Sequence, residues 1–246
     1  RIKSSGMLFL ERYKWVARAW RYRLKVEKYE IEFLIKHLKP GQIAVDIGSH
    51  KGAYTYWMSK YVGNNGAVYA FEPQSILYNK LKKLIEYSKL DNIFLYPNAF
   101  SSSIGKSNLI IPNRSSSPSA SINRKRTFND STIEINITTL DDFFCKKNKI
   151  SVNYLKCDVE GHELEVLEGG KNFLTHNRPI ISIESEARHS GKDKVIKVFN
   201  LLKELDYEGY FHNGKRMLSI DNFSIFDYQL DPNKKKYINN FFFIPK

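Results

Sequence analysis

Short apolar segments alternate with longer amphipathic segments along most of this chain, and this alternation limits the fold more than any other feature. The apolar segments occupy residues 42–48, 67–73, 92–98, 153–161 and 179–186. The amphipathic segments occupy residues 52–62, 75–89, 162–176 and 191–205. Such alternation is typical of parallel βαβ units, so we predict an α/β fold with a doubly wound, mostly parallel sheet and helices on both faces.

Two regions depart from this alternation. Residues 207–214 and 239–246 have the pattern of strands with no strong helix between them, which predicts an antiparallel pair at the sheet edge. Residues 100–139 contain two β-rich runs, 107–112 and 132–139, on either side of a basic loop rich in serine. Because long loops in a compact domain are usually functional or mobile, we interpret this β-rich insertion as a strand pair whose tip could act as a lid.

The N-terminal segment, residues 7–38, predicts a helix because it lacks Pro and its apolar residues recur every three or four positions. Its Lys and Arg residues are mixed with Tyr and Trp between residues 12 and 28. Such a basic aromatic helix can contact a membrane surface or nucleic acid, and the alternative is a helix packed on the domain with a solvated basic face. We therefore divide the chain into a basic helical extension, 1–40, and one domain, 41–246.

Charge and cysteine content indicate the partners and the compartment. The net charge of +13 favours anionic partners such as nucleic acid, phosphorylated molecules or an anionic membrane. Of the two cysteines, Cys145 and Cys157, the second lies in an apolar segment where a buried thiol is expected, so we predict a reducing, cytoplasmic location. Neither a long apolar run nor a signal-peptide pattern occurs, and we expect no transmembrane helix and no secretory signal.

The stretch AVDIGSHKGAYTYW, residues 44–57, passes from the first predicted strand into the helix that follows it. Ligands of open α/β sheets bind at the carboxyl ends of strands, and Gly48 and Gly52 allow a tight turn and a close helix start there. The fingerprint G-x-G-x-x-G is absent, and Asp46 would repel a pyrophosphate but suits an ammonium or sulfonium. Glu72 is placed to accept hydrogen bonds from a ribose diol. These features together describe S-adenosylmethionine; the alternative is that Asp46 only caps the turn.

These residues belong to a set of motifs that resembles the FkbM-type S-adenosylmethionine-dependent methyltransferases. The motifs are VDIGSHKGAYT, VYAFEPQ, LDNIFLYPNAFSS, ITTLDDFF, YLKCDVEGHELEVLEGG and FFFIP, which extend over about residues 41–245. The resemblance implies a class I methyltransferase (Rossmann-like) domain with seven strands, an antiparallel last strand and methyl transfer to oxygen. His50 departs from the small residue or Asn common in related loops. The predicted cofactor contacts are Asp46, Gly48, Ser49, His50, Gly52, Glu72, Pro73, Asn98, Ala99 and Asp158.

The acidic stretch KCDVEGHE follows the fourth strand of the alternation and contains the predicted catalytic residues Asp158, Glu160 and His162. Methyl transfer to a hydroxyl requires alignment and removal of the acceptor's proton. His162 is the first candidate base because its ordinary pKa lies nearest neutrality, and Asp158 is the second. The alternatives are that Glu160 and Gly161 only form a turn and that His162 faces solvent at a helix start.

Three more residues are predicted to contact the substrate. They are Glu184 at the end of the fifth strand, His189 in the loop that follows, and Arg124 in the serine-rich loop. Asp158 and Glu184 could also hold Mg²⁺. Because all α/β enzymes collect acids at strand ends, we do not predict a metal.

The leading functional prediction is an S-adenosylmethionine-dependent O-methyltransferase that acts on a hydroxyl of a sugar, a glycan or another metabolite, which could be anionic. The first alternative is an RNA ribose 2′-O-methyltransferase, in which Lys156, Asp158 and Glu184 would form a lysine–acid set, although no aromatic RNA-binding motif supports it. The second alternative is a non-catalytic module that binds a polyanion or a membrane surface through residues 12–28. The missing fingerprint glycine disfavours an NAD-dependent oxidoreductase.

Overall fold

The predicted alternation is present in the computed structural model, which describes residues 2–114 and 116–246. The strands are β1 (Ile43–Ile47), β2 (Ala67–Phe71), β3 (Ile93–Tyr96), β4 (Ala99–Phe100), β5 (Gly105–Ile111), β6 (Ser131–Thr138), β7 (Tyr154–Cys157), β8 (Ile180–Glu184), β9 (Tyr207–His212), β10 (Met217–Ser219) and β11 (Asn240–Pro245). The α-helices are α1 (Ile2–Arg21), α2 (Lys28–His37), α3 (Ala53–Val62), α4 (Ser75–Ser88), α5 (Glu163–Glu168), α6 (Lys171–Asn177), α7 (Ala187–Ser190) and α8 (Lys192–Glu204). Each predicted segment of the alternation contains its strand or helix, although the helix predicted over 162–176 is interrupted.

The main sheet, within the described residues, has the order β10-β9-β11-β8-β7-β1-β2-β3. Strands β3, β2, β1, β7 and β8 are parallel neighbours, and β11 runs antiparallel to both β8 and β9. The predicted α/β fold with a mostly parallel sheet and an antiparallel last strand is therefore confirmed. The sheet has eight strands where seven were expected.

The additional strand is β10, which pairs antiparallel with β9 at the sheet edge. The turn between them is closed by Asn213, whose backbone N–H donates to Arg216 O over 3.1 Å. The Asn213 side-chain oxygen also accepts the backbone N–H groups of Lys215 and Arg216. This hydrogen-bonded turn reverses the chain, which then runs back beside β9 as β10. Residues 207–214 were predicted at the edge of the sheet, but β10 occupies that edge.

The core forms two layers, one on each face of the main sheet. Successive residues of a strand point to opposite faces, so Ala44 belongs to one apolar cluster and Val45 to the other. The first cluster includes Trp15 and Leu34 of the N-terminal helices, which shows that these helices are packed against the sheet rather than extended from it. Across the described residues, no helix has the length and apolar character needed to cross a bilayer.

The predicted N-terminal helix is broken, which corrects the expectation of one helix over 7–38. A π-helical turn, Tyr22–Val26, follows α1, and Glu27 leaves the helical conformation with φ −129° and ψ 53° before α2 begins. The Glu27 carboxylate accepts a hydrogen bond from the Tyr54 hydroxyl of α3. This tertiary contact holds the side chain toward the sheet, and π turns of this kind are frequent at functional sites.

The helix predicted over 162–176 is also interrupted, between α5 and α6. A Cβ added at Gly169 would lie 2.1 Å from the carbonyl oxygen of Ser101, and one at Gly170 would lie 2.6 Å from Leu140 Cδ1. The helix is interrupted where its backbone lies against these neighbours, because only glycine fits there.

The β-rich insertion forms its own sheet, with the order β4-β6-β5 and an antiparallel β5–β6 pair as predicted. The loop between these two strands folds back toward the end of β7. Ser121 Oγ donates to Glu160 O over 2.6 Å, and Asn123 Nδ2 donates to Gly161 O over 2.7 Å. The loop thus contacts the end of the strand that carries the acidic stretch, while its movement as a lid stays a prediction.

Candidate active site

One cavity opens at the carboxyl ends of β1, β2, β7 and β8, where an α/β sheet binds its ligands. Its empty volume is about 1090 Å³, which includes the solvent at its open mouth. Its wall contains these predicted residues: Gly48, Ser49, His50, Glu72, Pro73, Asn98, Ala99, Asp158, Glu160, His162 and Glu184. Five sequence segments, those that follow or end β1, β2, β3, β7 and β8, therefore meet around a single space.

The glycine loop brings the tips of β1 and β7 together. Gly48 has φ +78°, and a Cβ there would lie 1.9 Å from the carbonyl oxygen of Asp158, so no other residue fits without a shift of the backbone. His50 has φ +49°, a conformation that Asn adopts more easily than most residues.

Glu72 is held rigidly at the tip of β2 and is only 2% exposed. Its two carboxylate oxygens accept the backbone N–H groups of His50 over 2.7 Å and of Gln74 over 2.8 Å. Burial raises the pKa of Glu72 to about 7 in spite of these two donors. A fixed carboxylate with remaining acceptor capacity is suited to a pair of hydroxyl groups.

Asp46 does not reach the cavity wall formed by the described residues, and its predicted contact with the cofactor stays a prediction. It is fully buried, its Oδ2 accepts the Thr55 hydroxyl over 2.6 Å, and its Oδ1 lies 3.8 Å from Lys156 Nζ. Gly52 is also outside the wall, because its Cα faces Trp15 and Leu81. Asp46 is therefore linked to the cavity wall through Lys156, whose Nζ lies 3.8 Å from its Oδ1.

Lys156 lies in the cavity wall between two carboxylates. Its Nζ donates to Asp158 Oδ2 over 3.0 Å and lies 4.7 Å from the ring centroid of Tyr54. Burial opposes the charged form, but Asp158 and Asp46 raise the pKa of Lys156, so it stays an ammonium. The sequence indicated this residue only through the RNA alternative.

Asp158, Glu160 and Glu184 form an acidic cluster in which one oxygen of each lies within 4.8 Å of the others. Glu160 has φ +53°, and burial together with repulsion from Asp158 raises its pKa to about 8. Burial and Asp158 also raise the pKa of Glu184, which accepts Asn239 Nδ2 over 2.7 Å. Three carboxyl groups at this spacing can share protons or hold a divalent cation.

His162 lies in the cavity wall, but its two ring nitrogens face protein groups. Nε2 lies 3.0 Å from Ser101 Oγ, and Nδ1 lies 3.6 Å from Glu165 Oε2. The residue is 5% exposed, and burial lowers its pKa, so the ring is neutral near pH 7. It does not face solvent, as the alternative for this residue required; Nε2 is taken up by Ser101, whereas Nδ1 faces Glu165 without a hydrogen bond among the described residues.

The two remaining predicted substrate contacts lie outside the wall that the described residues form. His189 stands behind Glu160, with its Nε2 3.1 Å from Glu160 Oε2. Arg124 is directed at Asp130, with 3.5 Å between Nε and Oδ2. His189 can therefore position Glu160, and Arg124 orders the loop of the β-rich insertion.

The sequence did not indicate the N-terminal part of the wall, which consists of Arg18, Tyr22 and Glu27. These side chains reach the cavity because α1 packs on α3 and because the chain bends at Glu27. Burial raises the pKa of Glu27 to about 7. No local pattern distinguishes these three residues from the other charged and aromatic residues of the segment.

The wall fits S-adenosylmethionine. Apolar side chains for a nucleobase come from Ala99, Phe100, Leu109, Pro118, Ala120 and Ile122. Glu72 supplies the acceptor for a ribose, and Gly48 permits close approach of a ligand to the backbone. His50 Nε2, which is buried and has no hydrogen-bond partner among the described residues, offers a polar contact to an amino-acid group.

Comparisons with known proteins identify one family. A sequence profile described as the methyltransferase FkbM domain matches residues 46–209, whereas a comparison with curated proteins gives no match. Among solved structures, the chain is similar to methyltransferase FkbM from Methylobacillus flagellatus at 14% identity and a TM-score of 0.54, covering 98% of this chain and 58% of that protein.

Two further solved structures show the same fold. A Streptococcus mutans protein in complex with S-adenosylhomocysteine has 14% identity and a TM-score of 0.51, with 88% of this chain and 96% of that chain covered. A proposed rRNA methylase from Clostridium thermocellum has 13% identity and a TM-score of 0.51, with coverage of 89% and 95%.

Proposed function

Because the chain belongs to the FkbM methyltransferase family, we propose that it transfers the methyl group of S-adenosylmethionine to a hydroxyl of a sugar, a glycan or a similar metabolite. The arrangement that supports this proposal most strongly is a single cavity with two different carboxylate sites. Glu72 lies at one end, held by two backbone N–H groups, and the acidic cluster of Asp158, Glu160 and Glu184 lies at the other.

Glu72, His50 and the apolar wall would hold the cofactor, whose sulfonium supplies an electrophilic methyl group when bound. Lys156 stays charged beside Asp158 and fixes the position of that carboxylate. Alignment of reactants by such fixed groups can contribute about 7–11 kcal/mol. We assign the acidic end of the cavity to the acceptor hydroxyl, since hydroxyl groups donate hydrogen bonds to carboxylates.

Within the predicted catalytic set, Glu160 is the strongest candidate base. Its carboxyl lines the cavity, its pKa of about 8 matches a proton acceptor that works near neutral pH, and His189 orients it from behind. His162 was the first candidate base in the sequence. It is better suited to positioning other groups than to accepting the proton, because Ser101 and Glu165 face its nitrogens. Asp158 keeps its predicted double role next to the cofactor and the acceptor.

The acceptor proposed here is a polar molecule that carries a negative charge beside its hydroxyl. Arg18 and Lys51 line the same cavity and supply positive charge for such a group. We also propose a cytoplasmic location, which is supported by the two free thiols Cys145 and Cys157.

Calorimetry and label transfer test this function. We expect S-adenosylmethionine and S-adenosylhomocysteine to bind and NAD not to bind, with weaker binding to Glu72→Ala. Transfer of a labelled methyl group into the glycan or small-metabolite fraction of a cell extract is the expected activity. Binding of NAD, or unaltered affinity in Glu72→Ala, would contradict the cofactor assignment.

An RNA ribose hydroxyl is the second candidate acceptor, and one observation favours it. Lys156 lies 3.0 Å from Asp158, and both residues share the cavity wall with Glu184, so the lysine–acid set of the RNA alternative is assembled. Label recovered in RNA, lost on ribonuclease treatment and reduced at high salt, would favour this acceptor over a glycan.

A further inference from the structure

Helix α1 exposes large apolar side chains on the side turned away from the sheet, and one of them, Trp20, also packs edge-on against Trp57 with 4.9 Å between the ring centroids. Trp15 and Ala19 are buried, whereas the apolar residues Phe9, Leu10, Tyr13 and Trp20 are between 44% and 69% exposed. Exposed apolar residues scattered singly are ordinary, but several on one helix mark an interaction site. The methyltransferase function proposed above makes no use of this surface.

These exposed residues form one continuous stripe. With about 100° between successive residues of an α-helix, Phe9, Leu10, Tyr13, Ala17 and Trp20 fall in a sector about 100° wide. That sector lies opposite the direction of Trp15 and Ala19. We call these five residues the outer stripe of α1.

Positive charge borders the outer stripe on both sides. Arg12 lies along one edge of the stripe, and Lys14 and Arg21 lie along the other edge. All three side chains are exposed. Glu11 is the only acidic residue within α1, and its carboxylate already pairs with Lys14 and Lys80. An apolar stripe between two rows of cations is the pattern of helices that lie in the plane of a membrane interface.

We propose that the outer stripe of α1 binds an anionic membrane surface. The apolar side chains would enter the boundary between headgroups and acyl chains, and the flanking Arg and Lys side chains would contact anionic headgroups. The net charge of +13 adds long-range attraction to the same surface. This inference does not depend on the methyl acceptor, and its test does not use turnover.

The cavity stays accessible in this orientation. Arg18 and Tyr22, which line the cavity, project from the inward-leaning side of the same helical segment and are not part of the outer stripe. Membrane binding through the stripe therefore covers none of the residues that line the cavity.

A second copy of the chain fits the outer stripe less well. Packing stripe against stripe in a symmetric dimer would bring the bordering cations of both copies close together. The one acid of the helix, Glu11, is shared between Lys14 and Lys80, so nothing in α1 would neutralise Arg12 and Arg21. The cations instead complement a surface that is itself negatively charged.

Co-sedimentation of the full chain with lipid vesicles tests this proposal. We expect binding to phosphatidylcholine vesicles that contain phosphatidylglycerol and much weaker binding to phosphatidylcholine alone. The triple variant Phe9→Gln, Leu10→Gln, Tyr13→Gln should lose about 100-fold in vesicle affinity. Arg12→Gln and Arg21→Gln should each lose about fivefold.

Phe226→Gln is the matched control, because Phe226 is also exposed, at 62%, but lies far along the chain in a π-helical turn. It should bind vesicles as the wild type does. Each variant should keep its circular dichroism and its affinity for S-adenosylhomocysteine, which separates a lost surface from a lost fold. Equal binding to neutral vesicles, undiminished binding of the triple variant, or a dimer that only the triple variant abolishes would overturn the proposal.

Discussion

The two ends of the cavity hold buried carboxylates in opposite ways. At the end formed by β1 and β2, Glu72 accepts two backbone N–H groups, one on each carboxylate oxygen. At the end formed by β7 and β8, Glu160 lies beside Asp158 and Glu184, and its side-chain contacts are with these carboxyl groups and with His189 instead of backbone donors. Burial raises the pKa of both groups, to about 7 for Glu72 and to about 8 for Glu160, so the two ends differ in what holds the carboxyl group: backbone donors fix Glu72, whereas Glu160 lies next to two other carboxyl groups.

This difference teaches how one fold separates binding from chemistry. Backbone donors stabilise a carboxylate without taking part in a reaction, because they cannot leave their positions. Neighbouring carboxyl groups instead raise the free energy of the charged form and lose their protons in separate steps, so the cluster titrates over a broad pH range. Four experiments can break or sharpen this contrast.

The largest effect is expected from Glu160→Gln. The amide keeps the size of the side chain but cannot accept the acceptor's proton, so the rate of methyl transfer should fall by about 10²–10⁴-fold. Affinity for S-adenosylhomocysteine should stay unchanged. In the wild type, kcat/KM should rise with pH and level off above about 8, because the ionised form of Glu160 is the active one.

Glu168→Gln serves as the control for that experiment, since Glu168 is an exposed acid at the end of α5. A pH profile that keeps its rising limb in Glu160→Gln would assign the base to another residue. In that case His162→Gln, which we expect to reduce turnover only moderately, would have to carry the larger loss.

The next effect concerns Glu163, which resembles Glu72 in its contacts but does not line the cavity. Glu163 Oε1 accepts the backbone N–H groups of Gly161 and Val159, and burial raises the pKa of this 2% exposed residue to about 7. Between the unfolded pKa of 4.5 and about 7, the folded protein holds one proton more than the unfolded chain at this position. Its stabilising effect is therefore complete below the unfolded pKa and is lost as pH rises through the folded one.

Glu163→Gln keeps the accepting oxygen and does not titrate. Relative to the wild type, the variant should gain on the order of 3 kcal/mol of unfolding free energy between about pH 5 and about pH 8. Urea unfolding of both proteins at the two pH values measures this difference. A constant difference would show that the two backbone donors fully offset the burial of the carboxylate.

A smaller effect is expected from Glu72→Ala at the binding end. Loss of the charged acceptor should weaken S-adenosylhomocysteine by about 10- to 100-fold, since hydrogen bonds to charged groups contribute about 1.5–3 kcal/mol. Calorimetry measures the affinity, with Glu86→Ala as a control because Glu86 is an exposed acid on α4. A loss of turnover at saturating cofactor, without a loss of affinity, would remove the distinction between the two ends.

No effect is expected from removal of divalent cations. The acidic cluster of Asp158, Glu160 and Glu184 could coordinate a cation, but proton sharing accounts for the same proximity. Turnover measured after EDTA treatment, and again after Mg²⁺ is added back, should stay the same. Loss and recovery of activity would show that the reacting end is a metal site.

The fold was largely predictable from the sequence, because the hydrophobic alternation is a local signal that each segment carries by itself. The strands at 43–47, 67–71 and 180–184 lie within their predicted segments. Strand β10 was not predicted, since it is short and depends on the turn at Asn213. The breaks at Glu27 and at Gly169–Gly170 were also missed, because contacts from other segments produce them.

The candidate site was predictable as far as topology determines it. Parallel strands end at the same sheet edge, so the residues after β1, β2, β7 and β8 had to meet. The direction of each side chain could not be predicted from the sequence. The Asp46 carboxylate points to Thr55 and Lys156, and the nitrogens of His162 point to Ser101 and Glu165. The assigned roles of these residues remain predictions.

The sequence by itself determined the order of strands and helices, the glycine turn after β1 and the presence of acids at the strand tips, because each depends on near neighbours in the chain. Only the tertiary structure decided which carboxyl groups share a space, which are held by backbone donors, and that α1 closes one wall of the cavity with Arg18. Burial and electrostatic repulsion depend on atoms that are distant in sequence, and those atoms come together only when the chain folds.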